Sequence, residues 1–240
     1  MISKNQIKFI KSLSLKKNRV KAQLFVAEGE KIVNELLNSK FEIEHIFATK
    51  HFSGINSSEK SSITLVSNEE LSRISNLTSP NNVLAIVSFN KKEFENNTGI
   101  TLVLDDVNDP GNLGTIIRMC DWFGVTELIC SKNTVDCYNP KVVQSSMGSL
   151  FRVNVKYLVL ATYLVDVETP IYGAYMNGID VKGQKLPKHA HLLMGNEANG
   201  ISDSIKKYIT NKVKIKNIGK NTESLNVAVA TSILLHEFCS

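Results

Sequence analysis

The chain has 240 residues, 42% of them apolar and 21% charged, with 13 Gly, 5 Pro and a net charge of +5. That length and apolar content supply one large domain or two small ones with real cores, and exclude a disordered chain or a repeat array. No apolar run is long enough to span a membrane, and the opening MISKNQIKFIKSLSLKK lacks the apolar core of a signal peptide. In chain order, residues 5–16 read as an amphipathic helix with Ile7, Ile10 and Leu13 on one side. LFVAEG reads as a strand and turn, 30–38 as a helix, 43–49 as a strand and 51–61 as loop. ITLVS is a strand, Ser67 and Asn68 open a helix with Glu69 and Glu70 in its first turn, and NVLAIVSF is an apolar strand. Together they make a small α/β unit over 1–90, and the polar stretch 91–99 reads as a linker.

A second alternating unit spans 100–240. TLVLDDV is a buried strand, 112–123 a helix, ELICS a strand and 139–148 a helix. A short strand at 151–155, a weak helix at 157–164, and the strands PIYGAYM and HAHLLMG follow. A short helix at 202–207, the strand KVKIKN and a closing helix over 224–238 complete the unit. Apolar strands separated by helices predict a mostly parallel sheet covered on both faces.

Charge is uneven along the chain. Residues 1–21 carry Lys4, Lys8, Lys11, Lys16, Lys17, Arg19 and Lys21 with no acid, so the remainder sums to −2. Such an end steers a polyanion, with Lys11, Lys16, Lys17 and Arg19 as the expected phosphate contacts of an RNA, although a solubilising tail has the same composition. The four Cys form no CxxC pair and the five His are scattered, which predicts reduced thiols in a cytoplasmic protein, no metal centre and no Ser-His-Asp nucleophile.

Ligands of open parallel sheets bind beyond the carboxyl ends of the strands. Three strand-end loops are unusual there. LDDVNDPGNLGTIIR packs Asp105, Asp106, Asn108, Asp109 and Asn112 together and places Arg118 on the next helix. It is not the GxGxxG of a dinucleotide site, and a capped turn with Asp109 or Asn112 as N-cap is its plain alternative. MGNEANGIS brackets Asn196, Glu197 and Asn199 with glycines, and NIGKNTESLN leads into the last helix, with Ser224 a candidate N-cap.

At these loops the chain resembles the SpoU/TrmH family of RNA ribose 2'-O-methyltransferases, within the SPOUT superfamily. The similarity is carried by NDPGNLGTIIRMCDWFGV (108–125), LLMGNEANGIS (192–202) and ESLNVAVATSILLHEF (223–238), in family order and spacing. FVAEGEKIVNELL and LTSPNNVLAIV are similar to the family's substrate-binding domain, an RNA-binding fold of ribosomal-protein type. The resemblance implies an α/β SPOUT domain with a deep trefoil knot, preceded by that smaller domain. It implies an S-adenosylmethionine pocket lined by Gly195, Ile215, Leu225 and Ala174, with Gly195 bare because a side chain would fill the pocket. Asn112, Arg118, Glu197, Ser224 and Asn226 stand at the family's catalytic or substrate-organising positions. The implied reaction methylates a ribose 2'-hydroxyl of RNA, ribosomal in preference to transfer RNA, in a homodimer where Arg118 serves its own or its partner's pocket. One departure is Ile215-Lys216 where the family has Ile-Pro, ahead of a loop one residue longer. Two other readings remain: a non-catalytic RNA-binding assembly or resistance factor, and a nucleotide-dependent metabolic enzyme.

Overall fold

The computed structural model describes residues 2–54, 63–90, 99–219, 221 and 223–240. Their contacts divide the chain into two compact units, Met1–Glu93 with Asp136–Phe151, and Phe94–Val135 with Arg152–Ser240.

The leading unit opens with α1 (Lys4–Ser12) and α2 (Lys16–Ala22), then β1 (Leu24–Glu28), α3 (Glu30–Leu37), β2 (Ile43–Ala48), β3 (Ile63–Leu65), α4 (Asn68–Ile74) and β4 (Val83–Ser88). Its sheet has the order β1-β4-β2-β3, with β4 antiparallel to both neighbours and β2 parallel to β3. Capping boxes fix two helix starts: Ser3 with Gln6 on α1, and Ser67 with Glu70 on α4. Ile10, Leu13, Val26, Phe47, Leu71 and Ile74 form the core beneath.

The second unit contains β5 (Ile100–Leu104), α5 (Pro110–Trp122), β6 (Glu127–Ser131), β7 (Asn154–Leu158), α7 (Leu160–Leu164), β8 (Ile171–Asp180), β9 (Ala190–Met194), α8 (Asp203–Lys206), β10 (Asn211–Lys214) and α9 (Val227–Cys239). The helix α6 (Pro140–Ser146) lies between β6 and β7 in sequence but belongs to the leading unit. All six strands pair in parallel, in the order β10-β8-β9-β5-β6-β7. β5 is buried throughout at the centre, so its carboxyl end delivers Asp105 and Asp106 to the loop layer. The β8–β10 register jumps between Lys212 and Val213, and a Cβ on Gly178 would lie 2.6 Å from the Val213 backbone carbon. No helix among the described residues is long and apolar enough to cross a membrane.

Several boundaries differ from the sequence reading. The first helix stops at Ser12 and a second, α2, follows it. Phe151 ends a 3-10 turn, and β7 occupies 154–158 where the weak helix was expected to start, leaving α7 only Leu160–Leu164. The stretch 91–98 of the expected linker and 55–61 of the expected loop lie outside the described residues.

The linear division at the linker also placed 136–151 with the second unit, and aromatic packing explains why it joins the leading one. Tyr138 is stacked against Phe25 at 4.6 Å and Phe89 at 4.2 Å, while Phe41 meets Phe151 at 5.2 Å. Beside them lies a buried ion pair. Arg19 donates from Nη2 and Nε to Asp136 Oδ2 at 2.6 and 3.1 Å, and from Nη1 to the Leu13 and Ser14 carbonyls at 2.9 and 2.7 Å. Its side chain is 2% exposed, so Arg19 is withdrawn from the expected set of RNA contacts and acts as a structural clasp. Truncating one member of such a pair strands the other charge. Arg19→Met is therefore expected to cost about 3–5 kcal/mol in denaturant unfolding, with part of the loss recovered by adding Asp136→Leu. A loss no larger than that of Lys17→Ala at the surface would show that the clasp carries no stability.

Candidate active site

The second unit holds a cavity of about 600 Å³ at the carboxyl ends of its strands. Three walls build it. Ala174 and Met176 come from β8, Gly195 to Glu197 and Gly200 from the loop after β9, and Ile215 to Gly219 with Ser224 and Leu225 from the loop after β10. Val227, Ala230 and Leu234 of α9 close it. All four residues expected to hold a cofactor, Gly195, Ile215, Leu225 and Ala174, thus line one cavity, together with Glu197 and Ser224.

The polar side chains beside it are tied into a chain. Asp109 caps α5, its carboxylate accepting from the Asn112 amide at 2.8 Å, with Pro110 at the first helical position. That start aims the Asn112 carboxamide at two other loops. Its Nδ2 donates to Glu197 Oε1 at 2.8 Å, and its Oδ1 accepts from Asn226 Nδ2 at 3.0 Å. Asn226 in turn caps α9, accepting from Ala228 N at 2.9 Å and Val229 N at 3.3 Å. The N-cap of the last helix is therefore Asn226, and Ser224 stands two residues ahead as a wall of the cavity.

Two strand-end aspartates brace the glycine loop, Asp105 through its carboxylate and Asp106 through its backbone carbonyl. Buried Asp105 accepts from Ser202 N at 2.7 Å, and Asn196 Nδ2 donates to the Asp106 carbonyl at 2.7 Å. Asp106 has a left-handed φ of 57°, held by Ser131 Oγ, which accepts from its amide at 2.9 Å and donates to its carboxylate at 2.6 Å. Asn196 Oδ1 accepts from Ala198 N and Asn199 N, closing a tight turn across to Gly200.

Of the expected catalytic set, Asn112, Glu197 and Asn226 meet directly and Ser224 shares the cavity. Arg118 does not join them. It is exposed on α5, six residues beyond Asn112, with no hydrogen bond or ion pair among the described residues, and Trp122 lies one turn further along the same face at 80% exposed.

Asp105 and Asn196 were left out of the expected site although the loops containing them were singled out; their partners are backbone groups 97 and 90 residues away, which no spacing reveals. Met176, also missed, had a legible signal, because it follows Ala174 at the two-residue period of a strand.

The cavity suits a nucleoside-sized ligand with an apolar face. Its volume falls within the ordinary range of small-molecule sites, and Met176 and Leu225 on its walls remain 59% and 47% exposed. The lining fits the chemistry of S-adenosylmethionine: apolar surface that would suit an adenine, backbone groups of Gly195 and Ile215 that would meet polar edges, and the Glu197 carboxylate that would suit a cationic ligand. Among the described residues no group of three His, Cys, Asp or Glu is placed to hold a metal.

Gly195 has a reason other than the one the sequence suggested. A Cβ there would lie 2.3 Å from Gly200 C and 2.4 Å from Ile201 N, inside the loop's own backbone rather than in the cavity. Gly195→Ala is therefore expected to push the 196–200 turn outward, destabilising the protein by about 1–3 kcal/mol and raising amide exchange at Asn199 and Gly200. Unchanged stability and exchange would show that the loop gives way freely at this point.

Comparisons with known proteins agree with this geometry. The profile of the SpoU rRNA Methylase family matches residues 99–236, and that of the MRM3-like substrate binding domain matches residues 4–85. The chain is 30% identical to the 23S rRNA (guanosine(2553)-2'-O)-methyltransferase RlmP of Bacillus subtilis, over 98% of this chain and 96% of that protein. A TrmH-family RNA methyltransferase structure from Porphyromonas gingivalis superposes with a TM-score of 0.90 at 36% identity, covering 99% of this chain and 98% of the other. An rRNA methyltransferase from Sinorhizobium meliloti, solved with AdoMet bound, superposes at 0.87 with 26% identity, covering 99% and 95%. With the parallel sheet, the braced strand-end loops and the three motifs in order, the chain belongs to the SpoU methylase family.

Proposed function

We propose that the protein methylates a ribose 2'-hydroxyl of RNA, using S-adenosylmethionine held in the strand-end cavity, and that ribosomal RNA rather than transfer RNA is its target. The observation that carries the proposal is the convergence of the four cofactor positions on one cavity whose rim carboxylate, Glu197, is held by Asn112 and, through it, by Asn226. Ribosomal RNA follows from the similarity to the Bacillus subtilis enzyme over nearly the whole chain.

The bound cofactor supplies an electrophilic methyl group on a sulfonium. Gly195, Ile215 and Leu225 hold it, with Ala174 as the small residue on the β8 wall. Asn112 and Asn226 keep the glycine loop and α9 in register, and Ser224 offers a hydroxyl with no other hydrogen bond among the described residues. Arg118, with no hydrogen bond or ion pair among the described residues, binds an RNA phosphate and stabilises the 2'-oxygen as it takes the methyl group and passes its proton to that phosphate or to water. Exposed Trp122 beside it and exposed Val229 on α9 support a homodimer that covers this face and brings Arg118 to the partner's pocket. The knot expected beyond residue 190 belongs to the same proposal, supported by membership of the SpoU methylase family. We place the enzyme in the cytoplasm, where the buried Cys120, Cys130 and Cys137 stay reduced.

Ribosomal RNA purified from cells lacking the protein is the substrate for the test. Under single turnover, Arg118→Lys is expected to keep most RNA affinity and lose methyl transfer by roughly 10² or more, because the point charge remains but the planar fork does not. A wild-type rate in Arg118→Ala would remove Arg118 from the site, and absence of calorimetric S-adenosylmethionine binding would favour the non-catalytic RNA-binding protein. Mixed dimers in which one subunit carries Arg118→Ala together with Ala174→Trp on the cavity wall, and is first shown by calorimetry not to bind S-adenosylmethionine, decide the geometry: no activity means Arg118 acts in trans, half activity means it acts in cis.

RNA capture is tested separately. Lys11, Lys16 and Lys17 are exposed, although the Lys11 ammonium also donates to the Ser75 carbonyl. If these three neutralise phosphates, the log–log salt slope on single-stranded RNA falls in magnitude by about 2 when all are changed to Gln. Cofactor binding is expected to be unaffected. An unchanged slope would make the basic end a solubilising feature.

A further inference from the structure

We propose that a second cavity, lying wholly within the leading unit, receives one unstacked nucleobase of the RNA. It measures about 420 Å³ and is bounded by the end of β1, the turn after α4 and the first turns of α6. The inference goes beyond the methyl-transfer reading, and its test needs neither cofactor nor catalysis.

On its lining lies Glu28, a buried carboxylate whose capacity is already used. Oε1 accepts from Asn76 N at 3.0 Å and Asn76 Nδ2 at 3.2 Å, while Oε2 accepts from Ser75 Oγ and from Asn76 N at 3.2 Å. A buried negative charge disfavours a phosphate inside, and its spent lone pairs leave little to attract a cation.

Three carboxamides on the lining are in the opposite condition. Asn139 Oδ1 accepts from Lys141 N at 2.9 Å, which leaves its Nδ2 donor without a partner among the described residues. Asn76 Oδ1 and both ends of the Gln144 amide are likewise unengaged. Val26, Leu77 and Val143 supply apolar surface around them. Neutral donors and acceptors set among apolar walls are the means by which proteins read the edge of a splayed base.

The rim supplies the other half of a nucleotide's chemistry. Lys141 lines it, Ser14 lies there between Lys11 and the Lys16-Lys17 pair in sequence, and the Lys11 ammonium is held at the Ser75 carbonyl, next to Asn76. A hydrogen-bonding throat whose one carboxylate is already satisfied, bordered by lysines, fits a base inside and its phosphates outside.

Full-length 15N-labelled protein titrated with AMP, GMP, CMP and UMP in turn, and with ribose 5-phosphate, tests this. At least one nucleotide is expected to move the side-chain amide signals of Asn76, Asn139 and Gln144, while ribose 5-phosphate moves none of them. Gln144 is half-buried on a helix, so Gln144→Leu and Gln144→Glu are expected to keep the wild-type melting temperature. Each should weaken that nucleotide about tenfold, the loss of a well-placed hydrogen-bonded pair. The proposal is overturned if none of the four nucleotides moves these signals. It is equally overturned if ribose 5-phosphate binds as tightly as the best nucleotide, or if both folded Gln144 variants bind like wild type. S-adenosylmethionine binding measured on the same samples keeps a failure here distinct from a failure of the methyl-transfer reading.

Discussion

One carboxamide joins the parts of the strand-end site. Asn112 spends its donor on Glu197, 85 residues further along the chain, and its acceptor on Asn226, 114 residues further. Because an amide presents a donor and an acceptor on opposite sides, neither partner can be exchanged for the other without leaving a polar group unmatched. The orientation is fixed from below by Asp109, which caps the helix on which Asn112 rides. Three loops that are remote in sequence are therefore set by the start of one helix, and the cavity walls of the glycine loop and α9 inherit that setting. An aspartate at 112 would keep the acceptor for Asn226 but replace the donor to Glu197 with a second carboxylate, setting two acceptors against each other.

The parallel sheet makes this joint possible. With β5 buried between β9 and β6, the turns after β5 and β9 emerge side by side, and Asp105 reaches the Ser202 amide directly. Asp106 takes a left-handed backbone conformation in order to offer its carbonyl to Asn196, and Ser131 at the end of β6 steadies it. Neighbouring strand ends thus compensate one another's strain, which is how an irregular loop stays ordered enough to form a wall. Gly195 belongs to the same economy of space: the loop returns so closely on itself that Gly200 and Ile201 occupy the position a side chain would take.

What the sequence made legible follows from how local the cause is. Strand periodicity, the Ser67 cap with acids behind it and the polar crowding after β5 are set within a few residues, and each is seen in the structure. Arg19 was misread because its role depends on Asp136, 117 residues away, and a run of seven basic residues looks uniformly solvent-facing until one finds a buried acid. The grouping of 136–151 with the leading unit depends on Tyr138 stacking with Phe25 and Phe89, a contact no linear boundary expresses. Ser224 was the cap expected from the sequence; the two amides accepted by Asn226 place the cap two residues later.

The two cavities differ in how they use their polar groups, and the difference follows from what each has to do. Around the strand-end cavity, the carboxamides of Asn112, Asn196 and Asn226 are committed to protein partners, so the loops are organised before any ligand arrives. Committed groups carry little ligand discrimination of their own; they serve a reaction in which the bound geometry must already be correct. In the leading unit the commitment is reversed. The carboxylate of Glu28 is consumed in holding the turn after α4, while Asn76, Asn139 and Gln144 on the cavity lining keep donors or acceptors that no described residue matches. Such groups cost nothing while water reaches them and penalise any occupant that leaves them unpaired, which is how a site rejects the wrong ligand. Preorganisation at the strand ends and unspent polarity in the leading unit thus divide reaction from recognition within one chain.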